Sequence, residues 1–116
     1  MKLNNETIRT AVKEWLDNSN EAESKYGHIS NWDVSNVTDM RNMFSANLAF
    51  NQDIGEWDVS NVNNMQGMFW ADQISSSFNQ DLSMWDVSNE PLCDNFCLGN
   101  TQWTLPKPNF TTNCCF

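Results

Sequence analysis

Ile29-Ser-Asn-Trp32-Asp33-Val34-Ser35-Asn36-Val37 is followed, 25 residues on, by Ile54-Gly-Glu-Trp57-Asp58-Val59-Ser60-Asn61-Val62. The motif returns after a further 28 residues as Leu82-Ser-Met-Trp85-Asp86-Val87-Ser88-Asn89. Between copies, Met40, Met43 and Phe44 match Met65, Met68 and Phe69, and Phe50-Asn-Gln-Asp53 matches Phe78-Asn-Gln-Asp81. Identity of this length at a nearly fixed spacing marks an internal repeat, with one supersecondary unit per copy.

Each unit divides into two halves. Val37, Met40, Met43 and Phe44 fall at i, i+3, i+6 and i+7, which predicts one face of a helix. Asp33, Ser35 or Asn36 can cap its first turn, because their side-chain oxygens accept from free backbone N–H groups. Phe50, Gln52 and Ile54 alternate with Asn51 and Asp53, which is strand spacing. The expectation is an α/β repeat solenoid, leucine-rich-repeat-like. Coils of one short helix and one short strand would stack Trp on Trp, Val on Val and Phe on Phe.

Open solenoids need capped ends. Residues 1–25 predict an N-terminal helical cap, with Ile8, Val12, Trp15 and Leu16 on one face after Asn5. Residues 26–90 hold the three repeats, the first with a degenerate strand at Lys25-Tyr-Gly-His28. Residues 91–116 predict a C-terminal cap containing Cys and Pro. There Glu90 replaces the second Val, Pro91 follows, Cys93 stands in the Met40 position, and Trp103 takes the Phe50 position.

Length and charge bound the rest. The 116 residues give one domain with one core. The formal charge is −9, and no Lys or Arg occurs between Asn42 and Pro106. Phosphate backbones and anionic membrane surfaces are repelled by such a stretch, so nucleic acid is not an expected partner. No apolar run approaches spanning length, so membrane insertion is not expected. The start, Met1-Lys2-Leu3-Asn4-Asn5, has no signal-peptide core.

Trp-Asp-Val-Ser-Asn-Val, followed by Met-x-x-Met-Phe and Phe-Asn-Gln-Asp-Ile, resembles the BspA-like leucine-rich repeat surface proteins, the mycoplasma-type DUF285 repeat family. The resemblance covers about Ile29 to Asn89. It implies a leucine-rich-repeat-like fold on bacterial, protist or large-virus surfaces, with adhesion the role usually suggested. It brings no catalytic residues to carry over. The chain is short for the family, which favours one compact unit over a long stalk.

Candidate chemistry is sparse. Cys93 and Cys97 lie one helical turn apart and can each pair with one of Cys114 and Cys115 as a disulfide-stapled cap. A four-thiolate zinc site and free buried thiols are the alternatives. Asp33, Asp58 and Asp86 should form a ladder, as should Asp53 and Asp81. Either a cation such as calcium offsets the repulsion, or each Asp accepts backbone N–H bonds at a turn, which is the commoner arrangement. His28, the only histidine, has no nucleophile motif beside it. The acids sit at repeated positions, as scaffold residues do, so no enzyme and no cofactor are expected.

Trp70 and Ile74 lie where the second period carries its extra residues. Insertions in repeat proteins form loops on one face, often the binding face. Trp70 either contacts a partner or folds back over the core. Sequons occur at Asn5, Asn36 and Asn109. The expected function is a non-catalytic surface recognition or adhesion module binding protein or glycan. The alternative is a structural component of a virion or cell-surface assembly. The chain opens on the cap helix and closes just past the cysteines, as a complete small reading frame would, which leans toward assembly. Localisation follows as extracellular or cell surface, alternatively virion.

Overall fold

Each copy of the repeat folds as a run of turns with extended links, not as a helix and a strand. The computed structural model describes residues 2–45, 47, 49–71 and 76–115. Its helices are both N-terminal. Helix α1 spans Asn5–Asp17 and helix α2 spans Ser19–Tyr26, followed by a 3₁₀ turn at Ile29–Asn31.

Helix α1 forms as its sequence dictates. The Asn4 side chain accepts from the Glu6 and Thr7 amides, and the Thr7 hydroxyl accepts in return from the Asn4 amide. Ile8, Ala11, Val12 and Trp15 are buried on one face, and Leu16 packs at its edge. Asn18 closes α1 and caps α2, its side chain accepting from Glu21. Helix α2 was not anticipated. Ala22 is its one buried residue, so Ser19–Tyr26 carries no apolar stripe. Its last two residues, Lys25 and Tyr26, fall in the segment read as a degenerate first strand.

The α/β repeat solenoid of leucine-rich-repeat-like coils is corrected by this structure. Among the described residues no strand forms, and the repeats contain no α-helix. Only isolated parallel bridges occur: Lys2 with Asp33, Asp39 with Asn64, and Asn64 with Leu92. The body measures 36 × 30 × 21 Å with a radius of gyration of 13.2 Å. A globular chain of this length has about 13 Å.

The reason is local. Asn42, Gly67 and Asn95, at equivalent positions, have φ of 57°, 61° and 59°. A left-handed residue ends any right-handed helix. Alternate amides are then free to point at the next copy. Met40, Asn42 and Phe44 donate to the carbonyls of Asn64, Gln66 and Met68 at 2.8–2.9 Å. Met65, Gly67, Phe69 and Ala71 donate to Leu92, Asp94, Phe96 and Leu98 at 2.7–2.9 Å. The i, i+3 spacing that predicted a helix comes from tight turns, such as Met43 donating to Met40 and Met68 to Met65. In the Phe50–Ile54 link, side chains replace the ladder. Asn51 Oδ1 accepts from the Asn79 amide and from Gln80 Nε2, both at 2.9 Å.

The core is continuous through the copies. Trp32, Trp57, Trp85 and Trp103 are all buried. Each indole N–H donates to a carbonyl on an earlier turn: Gly27, Ile29, Ile54 and Gln80, at 2.8–2.9 Å. A buried Trp thus adds its area to the core while its one polar atom is satisfied. Phe44 stacks on Phe50 and on Phe69, and Phe69 stacks on Phe78. Helix α1 covers one end, with Trp15 edge-on to Trp32 at 5.9 Å. The C-terminal tail covers the other.

Candidate recognition groove

Two side-chain ladders run across the copies, and they differ in what they leave open. The first is acidic. Asp33, Asp58 and Asp86 each turn Oδ1 onto the serine two residues ahead, accepting from its hydroxyl at 2.6 Å and its amide at 3.0–3.1 Å. Asp81 does the same with Ser83, and Asp53 accepts from Gly55. These are Asx turns, not helix caps. The serine hydroxyl, then the serine amide, holds each of Asp33, Asp58, Asp81 and Asp86 below the usual carboxylate range. Asp33 and Asp86 push Asp58 the other way, but less strongly. Turn hydrogen bonds outweigh ladder repulsion, so the ladder stands on its own bonds. Among the described residues no group of three His, Cys, Asp or Glu is placed to hold a metal ion.

The second ladder is the left-handed one: Asn42, Gly67, Asn95. Its central member has no side chain, and the notch this leaves is filled by the Asn42 side chain. A Cβ on Gly67 would collide with the Asn42 side-chain oxygen. Beside the notch stands Trp70, 42 % exposed, the one aromatic among the exposed large apolar side chains of the described residues. Together these residues line an open groove of about 380 Å³, with Arg41, Gln66 and Asp94 on its walls. Gln66 Nε2 donates to Asp94 Oδ2 at 3.2 Å across adjacent copies. Trp70 therefore does not fold over the core. Ile74, paired with it in the sequence reading, lies outside the described residues.

The cysteines close the C-terminal end. Cys93 is bonded to Cys114 and Cys97 to Cys115, with Cα separations of 5.2 and 4.6 Å. None of the four is left as a thiol for zinc. The tail also accepts from the body at Cys114 and Pro106, whose carbonyls take the amides of Phe96 and Leu82.

His28 has a structural part. Its Nδ1 lies 3.2 Å from the Ser30 amide and 2.8 Å from the Ser30 hydroxyl, and its ring meets Trp15 edge-on. Among the described residues no carboxylate bonds this ring. Asn5 is likewise committed: its side chain bonds the Thr38 hydroxyl and the amides of Thr38 and Asp39. Sequence reasoning anticipated neither this clamp nor the groove. The recurrence of Asn or Gly two residues after Met40, Met65 and Cys93 was the available signal for the latter.

A turn-built, three-copy body with helices at one end and disulfides at the other defines a small disulfide-capped repeat protein. The chain belongs to the DUF285 family, whose model, described as Mycoplasma protein of unknown function, matches residues 10–104. No curated protein and no solved structure matches it. The two disulfides fit a secreted or extracellular protein, since such bonds persist in oxidising compartments. Among the described residues no helix is long and apolar enough to cross a membrane.

Proposed function

We propose that this chain is a non-catalytic recognition module of a cell surface, binding its partner through the groove beside Trp70. The observation that carries the reading is the exposure of Trp70 while Trp32, Trp57, Trp85 and Trp103 are all inside. Rigid aromatics held at a surface give contact area at little entropic cost and are enriched among binding hot spots. The scaffold behind Trp70 is rigid, because the Met65–Ala71 turn is hydrogen-bonded to the copies on both sides. Kinship with the BspA-like surface proteins, suggested by the Trp-Asp-Val-Ser-Asn-Val motif, belongs with this reading, as does an adhesive role.

The test is binding of the fluorescently labelled chain to intact cultured epithelial cells, beside its Trp70→Ala variant. Saturable binding that falls about tenfold or more in the variant, with unchanged circular dichroism, supports the reading. Equal binding by both chains overturns it.

A further inference from the structure

We infer that the groove beside Trp70 is a carbohydrate site for neutral hexose or N-acetylhexosamine units; the inference rests on the recognition reading above. Sugars present two kinds of surface. One pyranose face carries C–H groups that pack on an indole, and the rim carries hydroxyls that both donate and accept. The groove offers one partner for each. Trp70 supplies the only large apolar wall among the described residues lining it. Asn42, Gln66 and Asn95 supply amides that donate and accept. Asp94 supplies a carboxylate acceptor and Arg41 a donor fork.

A protein partner fits this groove less well. Interface cores are apolar and well packed around their aromatic anchors. Here the anchor is bordered by amides and charges, and Met84, Leu92 and Leu105, the other exposed large apolar side chains among the described residues, do not line the groove. The size fits a small ligand, since such sites begin at roughly 300 Å³. Charge selects among sugars. Arg41 and Asp94 cancel within the groove, while the chain carries −9 overall. Sialylated and sulfated glycans meet an unfavourable field and neutral ones do not.

Gly67 makes the site. Its left-handed φ and absent side chain let the Asn42 amide lie in the notch, beside Trp70. Equivalent positions to Trp70 hold Ser45 and Leu98, so stacking wall and notch coincide in the middle copy alone.

The experiment titrates the intact, oxidised chain with mannose, galactose and N-acetylglucosamine oligosaccharides, beside a sialylated and a sulfated one. It is read by calorimetry and by Trp fluorescence. The expected result is binding of at least one neutral oligosaccharide, with weaker or no binding of the acidic ones. Trp70→Ala should lose about tenfold or more in affinity, and Asp94→Asn should weaken binding with the far-ultraviolet spectrum unchanged. Trp70→Phe keeps an aromatic wall should the alanine variant misfold, and should retain part of the affinity. No binding of any neutral oligosaccharide at millimolar concentration overturns the inference, as does binding indifferent to both Trp70 variants. Cell binding that depends on Trp70 but survives periodate oxidation of the cell surface overturns the sugar and leaves the recognition face standing. Cell binding indifferent to Trp70 overturns both.

Discussion

The two ends of the repeat body are closed by different chemistry. At the N-terminal end, α1 lays Ile8, Ala11, Val12 and Trp15 over the first copy. Asn5 clamps it to Thr38 and Asp39, and Arg9 donates to the Arg41 carbonyl at 2.7 Å. At the C-terminal end the tail has no helix. It is tied by Cys93–Cys114 and Cys97–Cys115, and packs Phe110 against Phe96. A helix makes its own backbone hydrogen bonds and can be held by an apolar face. A tail rich in Pro and Asn cannot, and covalent links do the work that local structure does elsewhere. The N-terminal closure is therefore indifferent to redox conditions and the C-terminal one is not.

The largest expected effect breaks the C-terminal end. The bonds close stretches of 21 and 18 residues in sequence. Replacing all four cysteines with serine should cost about 2–5 kcal/mol or more, measured as the shift in chemical denaturation. Hydrogen exchange should then show residues 106–115 opening well before α1. Equal protection at the two ends would remove the distinction drawn here.

At the opposite end, Trp15→Ala should cost ~3–5 kcal/mol by leaving a cavity over Trp32. The loss should be the same in oxidised and reduced protein. A redox-dependent loss would mean that the two closures are coupled.

Between the ends, Gly67→Ala should cost about 1–2 kcal/mol for the left-handed backbone, before the added clash with Asn42. Asn42→Gly, which removes the clashing side chain but not the backbone cost at position 67, should restore part of it in the double variant. Additive losses would show that the two copies do not meet at the notch.

The smallest expected effect is on acid stability. The folded carboxyls of Asp33, Asp58, Asp81 and Asp86 are depressed, so their contribution is full above the ordinary aspartate value of about 3.9. It is lost as pH falls through the lower folded values. Replacing Ser35, Ser60, Ser83 and Ser88 with alanine should flatten the fall of melting temperature below pH ~4. An unchanged slope would assign the acid sensitivity to other groups.

Part of this architecture was legible in the residues. The copies, their register, the buried Trp and Phe, and α1 follow from spacing and from the apolar face of α1. The helix-plus-strand unit did not follow. Val37, Met40, Met43 and Phe44 satisfy helical spacing, but a pattern of buried positions cannot tell a helix from tight turns that bury the same residues. The backbone sign at Asn42, Gly67 and Asn95 decides between them, and Asn and Gly tolerate either sign. Helix α2 was hidden because it buries only Ala22. The cysteine pairing was among the arrangements left open by position alone. Trp70 was singled out by its place near an insertion, but the groove depends on neighbours contributed by three copies.

The central claim is that the repeats are held by alternate amides reaching across to the next copy rather than by helices within each copy. Through-hydrogen-bond NMR couplings test it most directly. The account predicts couplings from the amides of Met40, Asn42 and Phe44 to the carbonyls of Asn64, Gln66 and Met68, and from Met65 and Gly67 to Leu92 and Asp94. Couplings from Phe44 to Met40 and from Phe69 to Met65 would instead show helical turns and contradict it.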